Sequence, residues 1–258
     1  MTSHAEKSVS VVIPTLNEEA NIGWVLDRVP PDVDEVVLVD GRSTDGTIDV
    51  ARRARPDLLL VEEPTPGKGA ALRSGLLAAR CDAVVILDAD GSMAPSEIER
   101  FIAKLDEGYE LVKGSRFMPG GGTADISRVR AFGNLVLVEL MNRLYAQRFT
   151  ELCYGYMALR RDVIRRLQLT ANGFEIETQI VAHALRAGLR VAEVPSFEAV
   201  RLNGASHLRT FRDGSRVLRE MIRARARNFE VPPPSVRAAP AAAAATLETL
   251  TAAGPGTP

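Results

Sequence analysis

Four short β-rich runs recur through the first half of the chain, and they constrain its fold more than any other feature. They are Val9 to Ile13, Glu35 to Val39, Leu58 to Val61 and Ala83 to Leu87. Stretches of helical character separate them: Glu18 to Val29, about Asp45 to Arg55, and Gly67 to Arg80. Pro95 opens a further helix reaching about Glu107. Continuous apolar strands alternating with helices require a parallel sheet covered on both faces. The expected class is therefore α/β.

In such sheets ligands bind at the carboxyl ends of the strands. Three polar clusters fall there: Thr15-Leu16-Asn17-Glu18, Asp40 to Asp45, and Asp88-Ala89-Asp90. Three clusters on one edge amount to one site. Asp88 and Asp90 end the apolar run Ala83 to Leu87, and side chains two apart on a strand share a face. Two carboxylates held so close repel unless a cation or a proton separates them. A hard divalent metal carrying a diphosphate suits that position, because such ions take one or two carboxylates plus substrate phosphates. A strand ending in a polar turn would leave the same residues.

The second half is less regular. Glu110 to Gly114 reads as a strand, and Pro119 to Thr123 as a flexible glycine loop. A long helix follows from about Ser127 to Arg148, then a strand over Leu152 to Leu159, a helix over Phe174 to Ala187 and a strand at Arg190 to Val194. Arg209, Arg212, Arg216, Arg219, Arg223 and Arg227 step by three or four, with Phe211, Leu218, Met221 and Ile222 roughly opposite. That is the pattern of a basic amphipathic helix, either at a membrane surface or solvated and packed by its apolar face. From Val231 onward Pro, Ala, Thr and Gly dominate, so residues 231–258 are expected to be disordered, as are residues 1–8.

Composition excludes several classes. A formal net charge of −1 gives no whole-molecule argument for nucleic acid. Two cysteines, Cys81 and Cys153, fit a reducing cytosol better than a disulfide scaffold. No run is long and apolar enough to predict a membrane span; Ala131 to Tyr145 is interrupted by Glu139, Asn142 and Arg143. Gly67-Lys68-Gly69-Ala70 is not a Walker loop, since no Ser or Thr follows the lysine, and Pro14-Thr15 replaces a dinucleotide-binding glycine turn.

Four blocks in this order carry a resemblance. Val11-Val12-Ile13-Pro14-Thr15-Leu16-Asn17-Glu18, Val39 to Thr47, Gly67 to Leu72 and Asp88-Ala89-Asp90 resemble family 2 glycosyltransferases. The chain looks closest to the polyprenyl-phosphate sugar transferases of the dolichyl-phosphate mannose synthase type, over about Val9 to Arg225. The resemblance implies a GT-A fold, a mixed, mainly parallel sheet flanked by helices, in one domain over 9–230. It implies a nucleotide-diphosphate sugar donor. Pro14, Asn17 and Glu18 would line the nucleotide pocket, Asp40 would contact base or ribose, and Lys68 would sit at the base and ribose edge. Asp88 and Asp90 would hold Mg²⁺ or Mn²⁺ against the diphosphate, with Asp90 also counted as catalytic. Asn17 and Glu18 also suit a helix cap, and Asp40 to Thr47 a turn leading to one.

Further matches concern the acceptor side. Arg116, in Gly114-Ser115-Arg116-Phe117, would pair with donor or acceptor phosphate, or else bridge a surface loop. Glu151 stands where the family usually carries Asp. Gly155 is expected to leave room for the acceptor. Glu177 aligns with a family acid and is preferred over Glu175, which is expected to be solvated; Glu151 and Glu177 both stand as candidate bases. Arg201 and Ser206 match a phosphate-binding signature in which His207 replaces the usual Lys, and Gly41 replaces a frequent second Asp. The expectation is a metal-dependent inverting hexosyltransferase, cytoplasmic, working on a polyprenyl phosphate at the inner membrane surface or on a soluble acceptor. A nucleotidyltransferase would need a Gly-rich loop after the first strand, and Pro14 to Asn17 opposes it.

Overall fold

The computed structural model describes residues 7–204 and 209–226. The expected flexible start up to residue 6, the segment 205–208 with Ser206 and His207, and the tail from residue 227 lie outside the described residues. The first half alternates as the pattern predicts: β1 (Val9–Thr15), α1 (Glu19–Leu26), β2 (Glu35–Asp40), α2 (Thr47–Ala54), β3 (Leu59–Glu62), α3 (Lys68–Ala78), β4 (Ala83–Ile86) and α4 (Ile98–Asp106). The second half adds β5 (Leu111–Ser115), β6 (Gly122–Thr123), α5 (Arg128–Tyr145), β7 (Met157–Arg160), α6 (Arg161–Ile164), α7 (Ile176–Arg186), β8 (Val191–Pro195), β9 (Phe197–Glu198) and α8 (Thr210–Ala226).

Seven strands form one sheet in the order β3-β2-β1-β4-β7-β5-β8. Neighbours are parallel from β3 through β4, and β5 is parallel to β8. Only β7 is reversed, pairing antiparallel with β4 and β5. Alternate residues of the central strands serve two cores. Val12, Val37, Val39, Val84 and Ile86 join one cluster with α3 and α7. Val11, Ile13, Val36, Leu38 and Val85 join the other with α1 and α4. Burial on both faces is the physical reason these strands carry no polar alternation.

Reversal of β7 matters for function. Met157, its first residue, pairs with Ile86 at the end of β4. The segment leading into β7 therefore arrives at the same sheet edge as the carboxyl ends of β1, β2 and β4. Lys113 of β5 pairs with Met157 too, so Ser115 and Arg116 exit at that edge.

Three expectations need correction. The strand expected over Leu152 to Leu159 is confined to Met157–Arg160. The amides of Leu152 and Cys153 are instead satisfied by the Asn134 and Glu151 side chains. The glycine loop at 119–123 is partly paired, since Gly122 and Thr123 align with Phe197 and Glu198. On α8 the buried face is Asp213, Val217, Glu220, Met221 and Ala224. Leu218 and Ile222 are exposed, so apolar side chains and arginines share the solvent side.

Candidate functional site

Loops from the ends of β1, β2 and β4 lock together before any ligand is considered. Asn17 takes a left-handed conformation at φ 55°, which asparagine tolerates better than most residues. Its Oδ1 accepts the Thr44 amide at 2.8 Å, and its own amide donates to Ser43 Oγ at 2.9 Å. Asn17 thus fastens one loop to the other. No side-chain cap forms at the start of α1, where Glu18 instead accepts from the Asn21 amide group at 2.6 Å. Asp40 is buried; its Oδ2 accepts the Ser43 amide at 2.9 Å, and its Oδ1 has no partner. An unpaired buried acceptor costs about 1–3 kcal/mol.

The acidic pair sits beyond the strand, because β4 ends at Ile86. Asp90 belongs to a turn in which its Oδ1 accepts the Ser92 amide at 2.9 Å and the Ser92 hydroxyl at 2.7 Å. Strand alternation is therefore not what brings Asp88 and Asp90 together; the turn is. Two cations compensate them. Lys68, at the start of α3, places Nζ 2.8 Å from Asp88 and 2.8 Å from Glu177 in the first turn of α7. Arg201 reaches Asp90 at 2.8 Å.

Electrostatics follows from this crowding. Burial raises the Asp88 carboxyl above the usual aspartate range; Lys68 opposes the shift, and the Asp90 and Glu177 charges reinforce it. Burial works against the Lys68 ammonium, but Asp88 and Glu177 outweigh it and hold its pKa above the ordinary lysine value. Glu18 is also raised, first by burial and then by the Asp90 and Asp88 charges against the lowering from Asn21 and Arg201. Lys68, expected at the base and ribose edge, bridges Asp88 and Glu177.

Two cavities meet here. One, of about 240 Å³, is bounded by Pro14, Glu18, Gly41 and Ala71. The other, of about 210 Å³, runs from Arg116 and Tyr154 to a wall made by α5 and α8. Lys68, Asp88, Asp90, Phe174 and Arg201 line both. Glu177 lines the second.

Other expected residues lie deeper. Arg116 is buried, with Nε 2.7 Å from Glu151, Nη1 2.9 Å from Glu198 and Nη2 donating to the Cys153 carbonyl at 3.1 Å. Glu151 is fully buried behind it, its other oxygen accepting the Leu152 and Cys153 amides, and it is absent from the cavity wall. Glu175, expected to be solvated, is part-buried and keeps one unpartnered buried oxygen. The space at Gly155 serves the ion pair: a Cβ there would stand 2.7 Å from Glu177 Oε1 and 2.9 Å from Lys68 Nζ. Gly155→Ala should therefore split the Lys68–Glu177 contact, at about 1–3 kcal/mol of overpacking. Activity is expected to fall about tenfold or more, and steady-state kinetics beside a thermal melt checks this.

Several lining residues were not legible beforehand. Ile126, Arg130, Asn134 and Leu137 reach the second cavity from one face of α5 or just ahead of it, and Gly214 and Val217 from α8. Their spacing on α5 is a helical face, yet nothing in it separates a core face from a cavity wall.

Comparison with known proteins decides the family. A sequence profile described as Glycosyl transferase family 2 matches residues 10–168. The chain belongs to this family. The glycosyltransferase is 34% identical over 203 residues to a polyprenol monophosphomannose synthase of Mycolicibacterium smegmatis, covering 72% of this chain and 75% of that one. It is 31% identical over 198 residues to a dolichyl-phosphate hexose transferase of Haloferax volcanii, covering 76% and 84%. In structure it matches glucosyl-3-phosphoglycerate synthase from Mycobacterium tuberculosis, solved with Mn²⁺, UDP and phosphoglyceric acid. That match has a TM-score of 0.67 at 27% identity and covers 87% of this chain and 80% of that one. The sheet and its flanking helices are those of a GT-A glycosyltransferase.

Proposed function

We propose that this glycosyltransferase moves a hexose, with inversion, from a nucleotide-diphosphate sugar to a polyprenyl phosphate. The observation that carries the reading is the pair of cavities meeting at Lys68, Asp88, Asp90 and Arg201, one bounded by Pro14, Glu18 and Gly41 and the other reaching Ile126, Leu137 and Val217 at the α5 and α8 wall. The donor nucleotide takes the first cavity, with Pro14, Glu18 and Gly41 around it. Asp40, next to Gly41, contacts the base or ribose.

Asp88 and Asp90 suit Mg²⁺ or Mn²⁺. They are crowded carboxylates, Asp90 buried and Asp88 part-buried, that require positive charge, and that demand is met here by Lys68 and Arg201. Among the described residues no group of three or more His, Cys, Asp or Glu could hold a metal. Diphosphate oxygens would therefore complete the coordination, as hard cations allow. A bound ion supplies Lewis-acid stabilisation of the departing diphosphate. Arg201 and Lys68, beside these carboxylates, orient phosphate oxygens.

The acceptor phosphate oxygen forms the new bond to the anomeric carbon as the bond to the nucleotide diphosphate breaks. The acceptor is already ionised, so no side chain has to take a proton. Glu177 then holds Lys68 in place, and Glu151 holds Arg116, which lines the second cavity.

Among the described residues no helix is long and apolar enough to cross a membrane. Contact with the inner membrane surface rests instead on Val129, Phe132, Leu135 and Val136 of α5, which are all exposed. Leu218 and Ile222, exposed among the α8 arginines, extend that surface. Phe132→Glu is expected to weaken sedimentation with anionic vesicles several-fold; unchanged sedimentation would remove the membrane part of the proposal. A second reading, transfer to a soluble phosphorylated acid, is favoured by the phosphoglyceric acid complex of the structural relative. Radiolabelled transfer followed by phase partition separates the two, and label confined to the aqueous phase would overturn the polyprenyl assignment.

A further inference from the structure

Helix-interior glycine is unfavourable by about 0.8–1.0 kcal/mol relative to alanine, so each one calls for a physical reason. Among the described helices, Gly23, Gly69 and Gly75 have one. A Cβ at Gly23 would lie 3.2 Å from Val50, one at Gly69 2.5 Å from the Ala171 carbonyl, and one at Gly75 2.4 Å from Val12. These three let neighbouring elements approach. Gly133 in α5 and Gly214 in α8 have no such reason. A Cβ at either would meet nothing within 4 Å, and neither has a positive φ.

Both of these glycines line the same cavity. Asn134, the neighbour of Gly133, is buried and accepts the Leu152 and Cys153 amides, which turns this face of α5 toward the acceptor segment. Leu137, Val217 and Ile126 supply apolar wall beside the two glycines, with Asp125, Arg130, Thr210 and Asp213 also in the lining. Burial pushes the Cys153 thiol, also in the wall, up to about 12, so it stays neutral. The inner end of the same cavity carries Lys68 and Arg201. Two cations at the inner end and a lining that is mainly apolar, with bare backbone at the two glycines, match an amphiphile with an anionic head. On α5 the exposed Val129, Phe132 and Val136 border the lining positions by one helical step, so the apolar surface continues outward.

We infer that Gly133 and Gly214 keep open a channel between α5 and α8 for the hydrocarbon chain of the acceptor, and that they set how much chain the enzyme accepts. The inference rests on the polyprenyl phosphate reading and adds the chain's path and its gatekeepers. Backbone without side chains leaves width for a branched isoprenoid chain, and each buried CH₂ is worth about 0.8 kcal/mol.

The test compares farnesyl phosphate with dimethylallyl phosphate, whose single isoprene unit stays near the phosphate end. For Gly133→Leu and Gly214→Leu, the ratio of kcat/KM for farnesyl over dimethylallyl phosphate should fall at least tenfold. UDP with Mn²⁺ should still raise the melting temperature if the wild type shows that shift, which reports an intact donor side. An unchanged ratio in both variants overturns the channel while leaving the polyprenyl reading standing. A wild-type enzyme that glycosylates neither lipid phosphate overturns both. A second measurement does not depend on the bulky variants folding: Gly133→Ala and Gly214→Ala should raise the melting temperature, since a methyl there meets only open space. A fall in either would mean the glycine serves packing and would overturn the assignment.

Discussion

Asp90→Asn is expected to lower kcat by about 10²–10³-fold, the usual loss when one preorganised electrostatic contact to developing charge is removed. The substitution is chosen to isolate charge. Asparagine Oδ1 still accepts the Ser92 amide and hydroxyl that shape the turn, now at 2.9 and 2.7 Å. What disappears is the carboxylate that faces Arg201 at 2.8 Å and adds to the repulsion on Asp88. Two readouts are needed. Steady-state transfer gives the rate, and the Mn²⁺-dependent thermal shift by nucleotide reports whether the ion still joins protein to diphosphate. An Asn variant within a few-fold of wild type that has lost its Mn²⁺-dependent shift would remove the metal from the proposed chemistry, and one that keeps both would remove the Asp90 charge from it.

Arg116→Met should cost stability on a comparable scale, about 3–5 kcal/mol, because removing one partner leaves buried charges uncompensated. Burial works against the Arg116 charge, yet Glu151 and Glu198 outweigh it and raise its pKa. Without it, Glu151 is a fully buried carboxylate with only two amides for compensation. For a domain of this size the loss corresponds to a fall in melting temperature of roughly 10 °C. Adding Glu151→Gln to Arg116→Met should recover part of it, since the orphaned charge is then gone. A solvent-facing phosphate ligand would behave differently: its removal would weaken substrate binding and leave the melt unchanged. A thermal melt of the single and double variants distinguishes the two roles.

The parallel half of the sheet was legible because its physics is local. Val11 and Val12, or Leu38 and Val39, are apolar neighbours pointing to opposite faces, and only a strand covered on both sides tolerates that. Motif order was legible for a similar reason: strand ends carry polar clusters, and Asp40, Lys68, Asp88 and Asp90 stand in runs short enough to read. The second half resisted. Residues 152–156 have the composition of a strand, but side chains from α5 and Glu151 capture the amides a strand would use. On α8, periodicity cannot say which face a neighbour will cover. Contact with α5 and α7 buries Met221 and leaves Leu218 and Ile222 outside.

The amino-acid sequence by itself determined the family, the α/β alternation and the identity of the acidic pair, since each depends on residues close along the chain. Tertiary structure alone decided which charges meet. Lys68 and Glu177 stand 109 positions apart, as do Asp90 and Arg201 at 111, and no pattern in a linear string reports such a distance. Reversal of β7 decided it, by carrying the acceptor segment to the edge where the parallel strands end. The same long-range packing left Gly133 and Gly214 over empty space, which only neighbours distant in sequence can create or deny.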